Sequence, residues 1–253
     1  MMNQATDALF REDSALRECQ ALVLRVDERG VVLDRTVFYP LGGGQAGDAG
    51  EVLLPDGRML AIADTRKSKE PGAEGGILHV PAPGQEELLA ALLPGMQVQA
   101  RLNWARRHAL MRFHTATHLL CALLPYPVDG CSITESYARL DFHTDAPFDK
   151  EALTEGLNRL VTEAHAVSHS WITDEELDAN PSLVRSMSVQ PPRGTGRVRV
   201  LCIEGVDLQP CGGTHVGNTA EIGGLTITKI EKKSASTRRV VLGFAQTVHA
   251  ALP

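Results

Sequence analysis

Four residues of this 253-residue sequence have the types and spacing to hold one metal ion. His114 and His118 stand four apart in a segment where Leu110, Phe113, Thr117 and Cys121 recur at helical spacing. Both imidazoles therefore leave one helix face, about a turn apart, and can reach a single ion. Farther along, Pro210-Cys211-Gly212-Gly213-Thr214-His215 sets a thiolate and an imidazole on either side of two glycines, which permit a tight turn. Nitrogen and sulfur donors favour tetrahedral Zn²⁺ over Ca²⁺ or Mg²⁺, which take oxygen, so the expectation is one Zn²⁺ per chain. A His-Glu-x-x-His protease carries its general base directly after the first histidine, and here that position is Thr115. Four protein ligands also suit a closed structural site, because catalytic zinc keeps a position for water. Spacing alone leaves both roles open.

A second segment, Phe38 to Gly50, holds five glycines within the nine residues from Gly42. It is neither a dinucleotide fingerprint nor a phosphate-binding loop, since no apolar-periodic helix follows and Gly-Lys-Ser/Thr is missing. Read alone, it is a surface turn. Basic residues gather at Arg101, Arg106, Arg107 and Arg112, and again at Lys229, Lys232, Lys233, Arg238 and Arg239, where the simplest reading is solvated faces.

The elements that must position these residues change character along the chain. From Gln20 to Asn103 short β-rich runs alternate with turn signals. Ala21–Val26 and Val31–Leu33 flank Asp27-Glu28-Arg29-Gly30, and Val52–Leu54 and Arg58–Ala63 flank Pro55-Asp56-Gly57. Runs at Ile77–Val80 and Met96–Leu102 bracket a stretch whose Glu86–Leu93 portion reads as one helix. This spacing predicts a small barrel or sandwich. After Trp104 a long helix is predicted up to Pro125, and a second begins after the N-cap candidate Asp149, with Leu153, Leu157, Leu160, Val161 and Ala164 on one face. Strand-like runs lie at Tyr137–Phe142, between the helices, and then at Val198–Ile203, Leu225–Ile230 and Arg239–Phe244. The expected architecture is α+β: the small barrel or sandwich over residues 1–103, then an α+β domain over 104–253 with an antiparallel sheet and two main helices.

Composition sets outer bounds. Apolar residues make up 43% and charged residues 22%, the usage of globular proteins. No apolar run approaches the roughly 20 residues that span a bilayer, and the opening residues lack a signal peptide's pattern, so a cytosolic protein with no membrane partner is expected. Five scattered cysteines make no disulfide framework and read as thiols or metal ligands. The net charge of −6 has the wrong sign for coating nucleic acid non-specifically. Any RNA contact must be local.

Taken together, His114-Thr115-Ala116-Thr117-His118, Cys211-Gly212-Gly213-Thr214-His215 and Gly42-Gly43-Gly44-Gln45 resemble the motifs of the free-standing alanyl-tRNA editing proteins. These are relatives of the editing domain of alanyl-tRNA synthetase and, more distantly, of threonyl-tRNA synthetase. The threonyl enzyme shares the four metal ligands but lacks the glycine-rich motif. The resemblance implies an N-terminal barrel-like domain, a C-terminal zinc-binding editing domain, and ATP-independent hydrolysis in trans of serine or glycine wrongly esterified to alanine tRNA. The partner implied is the aminoacylated 3′ end of tRNA, with no DNA. A threonyl-type editor of seryl-tRNA(Thr) and a non-catalytic, zinc-stabilised tRNA-binding module are the alternatives. An ester is already activated, so the chemistry needs a placed water and a stabilised oxyanion. Thr117, between the histidines, is the candidate that meets a substrate hydroxyl and tells serine from alanine, with Ser132 and Thr134 as further candidates. Gln45 is the candidate donor to the ester or ribose. Gly43 and Gly44 are expected to close over the 3′ end beside the zinc, with Lys232 and Arg238 on tRNA phosphates.

Overall fold

The computed structural model describes residues 5–68, 75–185, 187 and 196–245. The chain divides into two compact units, Met1–Leu110 and Met111–Pro253. It is an α+β protein with four α-helices among the described residues.

In the first unit, six strands close into an antiparallel barrel. In chain order they are β2 (Glu18–Asp27), β3 (Gly30–Leu33), β5 (Gly50–Leu53), β6 (Met59–Lys67), β7 (Ile77–Pro81) and β8 (Gln97–Leu102), and the barrel order is β2-β3-β7-β6-β5-β8. Two short segments, β1 (Asp7–Ala8) and β4 (Arg35–Thr36), pair in parallel. Alternation drives closure: inward positions such as Val23, Val31, Leu33, Val52, Leu60, Val98 and Leu102 form one buried core, and on β6 and β8 the intervening residues are the more exposed ones, whereas β3 is buried throughout. Pro55-Asp56-Gly57 does make the β5–β6 hairpin, with Gly57 at φ +87° and Leu54 N–H donating to Arg58 O at 2.8 Å. Helix α1 stops at Glu86–Ala90, short of the Leu93 expected, because the chain turns through Pro94-Gly95 and Gly95 N–H is captured by Val23 O at 2.8 Å. Leu89 and Leu92 cover the same core.

Helix α2 (Trp104–Leu123) supplies the last residues of the first unit and the first of the second. The second unit continues with β9 (Val128–Ile133), β10 (Ala138–His143), α3 (Lys150–Thr162), β11 (Val167–Ile172), α4 (Asp174–Ala179), β12 (Val198–Ile203), β13 (Asp207–Pro210), β14 (Leu225–Ser234) and β15 (Thr237–Phe244). Its strands make two antiparallel sheets, β14-β15-β10-β9 and β11-β12-β13, where the sequence leads one to expect a single sheet. The added strands β9, β11 and β13 are hidden in the sequence by an internal Asp-Gly, by interleaved polar residues and by brevity. Asp149 caps α3 as expected, accepting from Ala152 N–H at 3.0 Å. Asn158 fastens α3 to β14 through both halves of its amide, each 2.9 Å from the Leu225 backbone. Gly156 lets α3 close on α2, where a Cβ would stand 3.1 Å from Leu123 Cδ1. Short α4 is set by a capping box between Thr173 and Glu176. Among the described residues no helix is long and apolar enough to cross a membrane.

Candidate metal centre

His114, His118, Cys211 and His215 come together in the second unit, with one potential ligand atom from each lying within 4.8 Å of the others. Helix periodicity delivers the first two from α2, and their rings stack with centroids 5.5 Å apart. The β12–β13 hairpin delivers the other two. Its register pairs Val200 with Pro210, so Cys211 leaves the strand at a fixed point, and its N–H is held by Arg199 O at 3.0 Å. The Cys211 Sγ lies 3.5 Å from His114 Nε2 and 3.2 Å from His215 Nε2.

Gly212 has no left-handed angle, and a Cβ there would meet open space. What holds this turn is Arg199, buried on β12, whose Nη1 donates to Cys211 O at 3.0 Å and to Gly213 O at 3.1 Å. Two further side chains brace the ligands. His215 Nδ1 lies 3.3 Å from Thr115 Oγ1, whose own proton goes to Met111 O at 3.0 Å, so His215 donates there and Nε2 keeps its lone pair. His118 Nδ1 lies 2.9 Å from Asp207 Oδ2 on β13.

Electrostatics sort these groups. Burial pushes the Cys211 thiol up, but the His114 and His215 imidazoles outweigh it and hold the thiol well below the ordinary range. Burial would lower His118, yet Asp207 and the Cys211 sulfur prevail and raise it to about 9. His215 is driven down to about 3, by burial first and against the pull of Cys211. A thiolate and a neutral imidazole are thus available, and borderline-soft N and S donors at this number suit Zn²⁺ rather than a hard cation. The donor set fits that ion.

Of the remaining sequence candidates, Thr117 stands between the two histidines on α2 and is buried, its hydroxyl donating to His114 O at 2.7 Å. Ser132 is half-buried on β9, and Thr134 spends its hydroxyl on the turn into β10, donating to Tyr137 O at 3.0 Å. Lys232 and Arg238 face each other across β14 and β15. In the first unit Gly43 (φ +58°) and Gly44 (φ +85°) form a two-residue turn closed by paired backbone bonds between Gly42 and Gln45. The Gln45 side chain is fully buried. Gly47 and Gly50 have packing reasons instead, since a Cβ would come within 2.3 Å of Thr65 O and 2.2 Å of Arg101 O. In the first basic cluster Arg106 donates to Gly47 O, Arg112 donates to Ile222 O and Arg107 is buried against Asp48, while Arg101 stays exposed beside Glu51. Sequence reasoning missed Thr115, Arg199 and Asp207. The last had a signal, because Asp207, Gln209 and Cys211 recur with period two.

Known proteins resolve what these motifs belong to. The family described as threonyl and alanyl tRNA synthetase second additional domain matches residues 198–241, a span that includes Cys211 and His215, and class II (A) tRNA synthetases match residues 4–106. The alanyl-tRNA editing protein AlaX-M of Methanosarcina acetivorans is 34% identical over 245 residues, covering 93% of this chain and 97% of that protein. This chain belongs to the alanyl-tRNA editing protein family. Another such editing protein, from Saccharolobus solfataricus, is 29% identical and again covers 93% of this chain and 97% of its own length. The alanine–tRNA ligase of Pyrococcus abyssi is 34% identical over 95% of this chain but over only 26% of the ligase. Editing proteins therefore match this chain from end to end, whereas the ligase matches over one part of itself.

Proposed function

We propose that this protein is a trans-editing hydrolase that deacylates tRNA(Ala) wrongly charged with serine or glycine. The convergence of two α2 histidines with Cys211 and His215, in a member of this family, carries the reading. The match over 97% of an editing protein's length supports action in trans. His114, His118, Cys211 and His215 would hold one Zn²⁺. When bound, the ion supplies Lewis acidity toward an ester carbonyl or a water.

The chain's own residues supply the rest. Thr117 has given its proton to the His114 carbonyl and so meets a ligand as an acceptor, which suits a serine hydroxyl and leaves alanine without a partner. Ser132 and Thr134 on the β9–β10 hairpin belong to substrate binding. Gly43 and Gly44, whose left-handed turn carries no side chain, receive tRNA backbone, and Gln45, buried beneath that turn rather than presented to the ester or ribose, shapes it. The carboxylate nearest the four ligands does not serve as a base, since Asp207 is taken up by His118 and Gln209.

The test is deacylation of seryl-, glycyl- and alanyl-esters on alanine and threonine tRNAs, with zinc measured in each preparation. The expected result is about one zinc per chain and hydrolysis of seryl- and glycyl-tRNA(Ala) with alanyl-tRNA(Ala) spared. Cys211→Ala should lose zinc affinity and activity together. Gly43→Val and Gln45→Ala should keep zinc but slow deacylation, each by distorting the turn. Preference for threonine tRNA would replace this reading with the threonyl-type editor, and zinc without hydrolysis would replace it with a binding module.

A further inference from the structure

A buried carboxylate next to the ligand set calls for a reason. The side chain of Asp207 is fully shielded from solvent at the start of β13. Its surroundings satisfy it almost completely: His118 Nδ1 at 2.9 Å from Oδ2, Gln209 Nε2 at 2.9 Å from both oxygens, and Arg185 Nη2 at 3.8 Å from Oδ1. The hairpin itself does not need the charge. Its turn is closed by backbone, with Val206 N–H donating to Ile203 O at 2.9 Å and Gly205 at φ +69°. Removing a carboxylate from water is costly unless its charge is used, and here the side chain points at one group of consequence, the His118 ring.

We propose that Asp207 is the positioning residue of the metal centre. It holds His118 with the proton on Nδ1, so that Nε2 presents its lone pair to the ion, and it fixes the ring's rotation about that bond. A divalent cation bound by three neutral imidazoles and one thiolate would keep one positive charge, and the Asp207 carboxylate, shared with Arg185, would offset part of it. Gln209, two residues along the same strand, clamps both carboxylate oxygens, and Arg185, which donates to Cys121 O at 2.6 Å, closes the remaining side. A ligand-to-carboxylate relay of this kind tightens metal binding without touching substrate. The inference rests on the reading that the four residues bind Zn²⁺.

Zinc affinity, measured by competition with a chromophoric chelator, tests it, together with the absorption spectrum of the Co²⁺-substituted protein. Asp207→Ala should bind zinc about 10–100-fold more weakly than the parent, the range typical when such a partner of a metal-ligating histidine is lost. Asp207→Asn, nearly isosteric and able to accept from Nδ1 but uncharged, should fall between the two, which keeps the test informative if the alanine variant folds poorly. The Co²⁺ bands should shift in both while the metal-free proteins melt as cooperatively as the parent. Parent-like zinc affinity in both variants, or a drop in melting temperature with affinity unchanged, would overturn the positioning role. A parent protein that takes up no zinc would overturn the metal reading beneath it instead.

Discussion

Thr117 lies one residue before the candidate ligand His118, and its hydroxyl donates to the His114 carbonyl at 2.7 Å. The donor is committed, which leaves oxygen lone pairs as the only polar feature it can offer. Serine's hydroxyl can use an acceptor and alanine's methyl cannot. Thr117→Val keeps shape and helix packing while removing that acceptor, so hydrolysis of seryl-tRNA should slow relative to alanyl-tRNA. A buried hydroxyl left unpaired costs about 1–3 kcal/mol, which corresponds to a loss of discrimination of about 5-fold to 150-fold. The check is the ratio of the two kcat/KM values with zinc content measured alongside; an unchanged ratio at full zinc would assign Thr117 to packing. At this scale the sequence is uneven in what it discloses. His114 and His118 are legible because helix geometry alone fixes their relation, and Cys211 and His215 because soft donors flank a short turn. Thr115 and Arg199 are not legible, since each acts on a residue brought near only by the tertiary fold. Asp207 lies between the two cases: the period-two run Asp207, Gln209, Cys211 with Leu208 exposed between them inverts the usual strand pattern, polar inward and apolar outward.

Among the elements, the barrel strand β7 carries His79, fully buried, with Nδ1 at 3.1 Å from Val31 O and Nε2 at 2.8 Å from Thr36 Oγ1. Burial drives its pKa down to about 4, against the pull of the Val31 carbonyl. A histidine in the unfolded chain titrates near 6.5, so between about pH 6.5 and 4 the unfolded state binds a proton that the folded barrel refuses. The contribution to stability is therefore whole above that window and falls on acidification through it, by at most about 3 kcal/mol. Urea melts at pH 7 and 4.5, followed by Trp104 fluorescence in a Trp171→Phe background, should show the loss, and His79→Gln should reduce it. Equal acid sensitivity in both proteins would assign the effect to carboxylates. The barrel's strands are readable because alternation and tight turns are local, as at Asp27–Gly30, where two residues reverse the chain. His79 gives no such sign: on sequence it is one polar residue in an apolar run, and only closure of the barrel surrounds it. The glycine-rich segment is half readable. Gly43 and Gly44 declare a turn, but Gly47 and Gly50 answer to neighbouring backbone carbonyls that no local pattern predicts.

For the molecule as a whole, the charge of −6 decides how RNA can be held. A protein of this sign gains little from long-range attraction, so each phosphate contact should be a discernible share of the total salt dependence. In the first arginine cluster Arg106, Arg107 and Arg112 are engaged by Asp48 and backbone carbonyls, and Arg101 pairs with Glu51 at the surface. The β14–β15 ribbon is left as the basic surface, with Lys232 exposed and in register with Arg238. Arg239 in the same ribbon is spent on Asp141, at 2.7 and 2.8 Å. Arg238 is partly spent: Nη1 donates to Ser234 O and Thr237 O, and Nη2 to Asp145 O, while among the described residues nothing accepts from Nε or the second Nη2 hydrogen. Lys232→Ala and Arg238→Ala should each flatten the plot of log affinity for tRNA against log salt by about one unit, the counterion released per contact. The two variants should differ in a second readout. Arg238→Ala removes three bonds to backbone carbonyls and should also lower the melting temperature, whereas Lys232→Ala should leave it alone. Binding of uncharged tRNA between 50 and 300 mM salt, approximately the range over which such contacts are screened, measures the slopes. Parent slopes in both variants would mean that the ribbon faces only solvent and that the tRNA is held elsewhere.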